Sequence, residues 1–230
     1  ILGKRASSIC VAYPDMQRFF PASRIVLTGN PVRKQILENQ ITREEAIQFF
    51  QLRSDQNVVL VIGGSLGARS INNAFIAQAL MLVQKPVQLL WQTGQNDYTR
   101  AVAVAASAPD KIKVHAFIRE MDYAFAAADI IISRAGASSI AELCIVGKPV
   151  IFVPYPYASE DHQTHNAMAL VQHNAALLVR DHEAVSDLLP KLEKLLQDEQ
   201  ACTLLRQNIS ALRITDADTR IANEIIRLVA

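Results

Sequence analysis

The chain has little from which to build a metal cluster or a covalent framework. Its 230 residues include only three cysteines, Cys10, Cys144 and Cys202, spread across the whole length. That scatter does not suit a metal cluster, and an odd number does not suit a disulfide framework. A reducing cytoplasmic setting is the simplest reading of such cysteine use. No apolar run approaches the roughly 20 residues of a membrane span. Charge of one sign is not in excess either: the net charge is +1, so no broad basic surface for nucleic acid is expected. The metalloprotease pattern HExxH and the dinucleotide fingerprint G-x-G-x-x-G are both missing, as are internal repeats and low-complexity linkers. The chain opens at Ile1 with neither an initiator Met nor a signal-peptide pattern, which reads as a fragment.

What is present is ordinary globular composition, 50% hydrophobic and 20% charged. That is enough for one large domain, or for one domain and part of another. Two short strand-like runs, at 8–12 and 24–27, are separated by a Pro-containing loop and end in Thr28-Gly29-Asn30-Pro31-Val32-Arg33. Two strands cannot bury themselves, so this segment reads as the edge or cover of something else. A helix over 41–50 is opened by Thr42, with Glu44 and Glu45 in its first turn.

From Asn57 the pattern alternates. Strands are expected at 58–62, 87–91, 111–116, 129–133, 150–153 and 176–179, with helices between them and a helical remainder. The last helix, 216–229, carries Ile221, Ile225 and Leu228 on one face. Alternation of this kind predicts a doubly wound parallel six-stranded α/β sheet with right-handed crossovers, whose ligands sit beyond the carboxyl ends of the strands.

Two turns of small residues fall at such ends. Gly63-Gly64-Ser65-Leu66-Gly67 fits two chemistries. As G-x-S-x-G it is a nucleophile elbow with Ser65 as nucleophile, served by Asp129 or Asp161 and by His182. As a phosphate turn, Gly64 permits close backbone approach and Ser65 donates a hydrogen bond. The second turn, Gly136-Ala137-Ser138-Ser139, opens a helix whose free N–H groups and dipole would favour a phosphate. The same residues allow plain capping, because Ser139-Ile140-Ala141-Glu142 matches a capping box. Only the phosphate reading gives both turns one task, on two sides of a pyrophosphate. His162 and His165 are spaced like part of a metal motif but lack further ligands, so no metal is expected. His115 and His173 read as strand-end and helix-surface residues.

Four segments taken together carry a family resemblance: Thr28 to Arg33, Gly63 to Arg69, Ser133 to Ala137 with Glu142, and Asp161-His162-Gln163 with Asn166. In this order and spacing they resemble the MurG-type N-acetylglucosaminyltransferases, over nearly the whole chain. The resemblance implies the GT-B fold and inverting transfer of GlcNAc from UDP-GlcNAc to an undecaprenyl-pyrophosphate-linked muramyl-pentapeptide, the alternative within that fold being another enzyme such as a UDP-GlcNAc 2-epimerase. It implies work at the cytoplasmic membrane face, without metal or other cofactor. Residues 1–33 then resemble the tail of an amino-terminal acceptor domain plus linker, 34–215 the donor domain, and 216–230 a helix crossing back to the absent domain.

The resemblance also assigns roles by position. Uracil lies against the Ile118 backbone with Met121 nearby, and Glu142 accepts from the ribose hydroxyls. Gly64, Ser65 and the amides of Ala137, Ser138 and Ser139 hold the pyrophosphate, with Arg33 as a cationic contact. Gln163, His162 and Asn166 read the sugar. Where relatives commonly have Thr, Ser139 keeps the hydroxyl; some have Gln in place of His162. The family's general base and its membrane-docking patch belong to the amino-terminal domain, so no catalytic residue is expected in this chain.

Overall fold

The computed structural model describes residues 3, 5–12 and 16–229. The expected loop around Pro14 lies outside the described residues. Near the start, β1 (Ile9–Val11) and β2 (Ile25–Leu27) form a small parallel pair of their own. One helical turn, α1 (Lys34–Leu37), follows, and then α2 (Arg43–Phe49). Thr42 caps α2 through a full capping box: its hydroxyl accepts from the Glu45 N–H at 3.2 Å, and the Glu45 carboxylate accepts from the Thr42 N–H at 2.8 Å.

The main unit then alternates as β3 (Asn57–Ile62), α3 (Arg69–Leu82), β4 (Val87–Gln92), α4 (Tyr98–Ala105), β5 (Ile112–His115) and α5 (Met121–Ala127). It continues through β6 (Ile130–Ser133), α6 (Ala137–Val146), β7 (Val150–Phe152), α7 (His162–Gln172) and β8 (Leu177–Leu178). The remainder is helical but broken into α8 (Ala184–Leu196), α9 (Glu199–Ala211) and α10 (Ala217–Val229). All neighbouring strands of the six-stranded sheet are parallel, in the order β5-β4-β3-β6-β7-β8.

Both faces of this sheet are covered, which is why its strands read as continuous apolar runs. Val59 and Val61 face one core with α3 and α8, while Val58, Leu60 and Ile62 face the other with α5 and α6. The split follows the two-residue period of a strand. One buried polar cluster ties the first core together. Asn72, 1% exposed, donates to the Thr93 carbonyl (2.8 Å) and to Asp97 (2.9 Å), and accepts from the Trp91 indole N–H (3.1 Å).

The apolar face of the last helix is largely uncovered. Only Ala217 of α10 is buried, and Ile225, Ile226 and Leu228 are exposed. Its Arg220 reaches the Leu27 carbonyl at 3.5 Å, beside the small β1–β2 pair. Cys10, Cys144 and Cys202 are free thiols, and burial pushes Cys144 up to about 12. Among the described residues no helix is long and apolar enough to cross a membrane, and no three potential metal ligands come together.

The Asn72 cluster is testable by stability. Asn72→Ala strands the Trp91 N–H and takes one donor from Asp97, which keeps its pair with Arg100, and should cost about 1–3 kcal/mol, the penalty for an unsatisfied buried group. Urea unfolding measures it; a loss below about 0.5 kcal/mol, typical of a neutral surface change, would show that the cluster does not hold α3 to β4.

Candidate functional site

From β3 the chain winds outward through β4 to β5, and from β6 it winds the other way through β7 to β8. β3 and β6 are nevertheless hydrogen-bonded neighbours, with Ile62 opposite Ser133. The two small-residue turns therefore leave the sheet side by side and diverge, which opens a crevice at the switch in strand order. A cleft of about 1290 Å³ occupies that position.

The first turn is built by backbone contact. Gly67 has φ of +81°, and a Cβ there would lie 2.0 Å from the Thr93 carbonyl oxygen. Only glycine can bring this turn so close to the end of β4. Gly64, with φ of +82°, has nothing within 4 Å of the point where a Cβ would stand, and so faces open space. Its carbonyl accepts the turn-closing N–H of Gly67 at 3.0 Å. Ser65 and Leu66 are exposed in the cleft wall.

The second turn starts α6 at Gly136, without a side-chain cap. The first intrahelical bond is Ile140 N–H to the Gly136 carbonyl at 2.9 Å, so the N–H groups of Ala137, Ser138 and Ser139 precede the helical ladder. This corrects the capping-box reading. Ser139 is the third helical residue rather than the cap, and Glu142 is bonded elsewhere. Its two carboxylate oxygens accept a fork from Arg33, at 2.7 Å from Nε and 3.0 Å from Nη2. Glu142 is the first cause holding the Arg33 guanidinium above its ordinary range.

Ile118 and Met121 line the same cleft, as do Arg33, Gly64, Ser65, Ser139, Glu142 and Gln163. Ala137 and Ser138 lie in the first turn of α6 but not in the cleft wall. Gln163 faces the cleft with its Oε1 occupied, accepting from the N–H groups of Tyr155 (3.0 Å) and Ala135 (3.2 Å). Asn166 donates to the Ala135 carbonyl at 3.2 Å, and His162 Nδ1 lies 2.8 Å from the Ser159 carbonyl oxygen, outside the wall.

The catalytic elbow does not assemble. Asp129 sits at the amino-terminal edge of the sheet, accepting from Arg43 (3.1 Å) and the Val58 N–H (2.8 Å). His182 is 75% exposed, and the cleft wall contains neither it nor another histidine. Asp161, accepting from the Thr164 hydroxyl at 2.7 Å, is likewise outside the wall, so among the described wall residues Ser65 has no histidine to activate it.

Reading the sequence misses several residues that shape the cleft. Arg134, just after β6, pairs with Asp181, donates to the carbonyls of Val153 (2.9 Å) and Pro154 (3.1 Å), and bonds Ser70 at 3.1 Å. Gln92 spans the Gly64 carbonyl and the Ile118 N–H. A buried-strand run ending in a polar side chain is the only local signal for Gln92; for Asp181, which acts 47 residues from Arg134, there is none. Every carboxylate in the wall is paired with an arginine: Asp97 with Arg100, Glu142 with Arg33, and Asp181 with Arg134.

Comparison with known proteins gives consistent results. The glycosyltransferase family 28 C-terminal domain matches residues 58–224. A curated relative from Parabacteroides distasonis, named UDP-N-acetylglucosamine–N-acetylmuramyl-(pentapeptide) pyrophosphoryl-undecaprenol N-acetylglucosamine transferase, is 45% identical over 230 residues. The match covers 100% of this chain and 62% of that protein. A protein of the same name from Bacteroides fragilis is 46% identical, covering 99% and 61%. Among solved structures, Acinetobacter baumannii MurG superposes with a TM-score of 0.78 at 30% identity, covering 98% of this chain and 62% of that one. S. aureus MnaA, solved with UDP, shares the fold with a TM-score of 0.69 at 14% identity, over 99% and 62%. The chain thus spans less than two thirds of these relatives.

The Arg134–Asp181 pair yields a stability test. Its side chains are 12% and 21% exposed, so removing one partner leaves a largely buried charge unpaired. Asp181→Ala should cost about 2–3 kcal/mol, somewhat below the fully buried case because some solvent reaches both groups. Denaturant titration measures it, and a loss like that of a surface pair, under about 1 kcal/mol, would show that the pair is solvated.

Proposed function

The chain belongs to glycosyltransferase family 28, through that family's C-terminal domain, and from this premise we propose that it is the donor-binding half of an N-acetylglucosaminyltransferase. The whole enzyme would move GlcNAc from UDP-GlcNAc to a lipid-linked muramyl-pentapeptide in peptidoglycan synthesis, working as a peripheral protein at the cytoplasmic membrane face. The observation that carries the reading is the convergence of both small-residue turns, Ile118 and Glu142 on one cleft at the switch in strand order.

In this reading the diphosphate lies between the turns. Ser65 and the unbonded N–H groups of Ala137, Ser138 and Ser139 donate to it, aided by the α6 dipole. Uracil packs by Ile118 and Met121. Glu142 accepts from the ribose hydroxyls; the fork from Arg33 uses one lone pair of each oxygen and leaves others free. Arg33, half exposed, then has its remaining donors for the diphosphate. Around the sugar, Gln163 keeps its NH₂ as a donor because its carbonyl oxygen is engaged, while Asn166 keeps its oxygen as an acceptor. His162 offers Nε2.

Transfer with inversion needs a base to take the proton of the acceptor hydroxyl as that oxygen attacks the anomeric carbon and UDP departs. The described cleft wall offers carboxylates that are already paired with arginines, and no histidine. The division of labour is therefore recognition of the donor here, with the base and the acceptor supplied by the partner domain.

Two measurements test the proposal. Glu142→Ala should weaken UDP binding by about 1.5–3 kcal/mol, as expected for hydrogen bonds to a charged group. Stability should move by less than about 1 kcal/mol, since its partner Arg33 is solvent-screened. Calorimetry on the folded variant reads both, and unchanged affinity would remove Glu142 from the ribose site. The chain itself should bind UDP and UDP-GlcNAc saturably yet transfer no sugar, because base catalysis typically contributes about 10²–10⁴-fold and positioning adds more. Transfer to a lipid-linked acceptor above a no-protein control would place the catalytic groups within these residues.

A further inference from the structure

Gln92 is the last residue of β4, opposite Ile62 on one side and His115 on the other. It is 4% exposed, yet its carboxamide is not spent on the core. Its Nε2 donates to the Gly64 carbonyl at 3.1 Å, and its Oε1 accepts from the Ile118 N–H at 2.9 Å. One buried side chain therefore grips both the first small-residue turn and the loop after β5.

The grip on Gly64 has a directional effect. A trans peptide is planar, with its C=O and the following N–H pointing in opposite directions. Anchoring the Gly64 carbonyl toward Gln92 therefore aims the Ser65 N–H away from it. Gly64 lies at φ of +82°, with open space where a Cβ would stand, so sterics alone would not stop that peptide plane from rotating. The other hold on the carbonyl is the Gly67 N–H, which belongs to the same turn and moves with it.

We propose that Gln92 is a positioning residue that aims the Ser65 N–H at the diphosphate and sets its spacing from the base loop, so that the cleft selects a nucleoside diphosphate over the monophosphate. The inference rests on the nucleotide-binding reading above and refines it. Gln92→Leu removes both hydrogen bonds. Gln92→Met removes both as well while keeping the length of the buried side chain, and neither variant brings a charge to the cleft.

The test is calorimetric titration of the purified chain and both variants with UDP and with UMP, with folding checked by thermal unfolding. The wild-type chain should prefer UDP. In both variants the preference for UDP over UMP should fall about fivefold to tenfold, the effect of one lost hydrogen bond at the diphosphate. Some UMP affinity should go as well, because the Ile118 loop is released. Equal losses for the two nucleotides, or none, in a folded variant would overturn the inference and leave Gln92 a structural residue, with the nucleotide reading intact. If the wild-type chain bound neither nucleotide saturably, the nucleotide reading itself would fall, and this inference with it.

Discussion

The cleft depends on the pairing of β3 with β6. These strands lie side by side although the chain winds away from them in opposite directions. A right-handed crossover must leave each strand toward its own helix layer, so the loops that follow them separate instead of covering one another. Ile62 opposite Ser133 places Gly63 and Arg134 at the same height. Shifting that register by one residue would exchange the two faces of β6, sending Ile130 and Ile132 into the wrong core. The position of the site and the packing of the core are therefore one constraint.

On that frame the cleft is held open by polar groups that bridge loops. Arg134 gathers the end of β7 and the segment before α8, and Gln163 holds the N–H groups of Ala135 and Tyr155. Gln92 joins the loops after β3 and β5. Apart from the Arg134–Asp181 ion pair, these bonds go to backbone groups of the loops beyond the strand ends.

The order of the six strands in the sheet is seen only in the fold, whereas the strands themselves are legible in the sequence because β-branched runs such as 58–62 and 130–132 carry their own signal. Thr42 is legible as a cap for the same reason: its partner Glu45 lies three residues away. Ser139 and Glu142 have the same spacing but form no box, because the helix already starts at Ala137 and Glu142 is bonded to Arg33, 109 residues away. The Arg134–Asp181 pair has no local signal and Gln92 a faint one, both making contacts between loops that only the closed sheet brings together. Helix α10 shows the reverse case: its periodicity is real, but its apolar residues Ile225 and Leu228 lie exposed among the described residues.

The arginine–carboxylate pairing has a consequence for kinetics. Asp97, Glu142 and Asp181 each cancel one of Arg100, Arg33 and Arg134, leaving Arg69 as the one cation in the described wall without an ion pair. Neutralised pairs have short-ranged fields, and at physiological salt a lone charge is screened within about 8 Å. An anionic ligand would therefore meet the cleft at an ordinary diffusional encounter rate, without strong electrostatic steering. Its residence would be decided after arrival, by how well directed N–H groups replace its water, so that affinity is held in the off-rate.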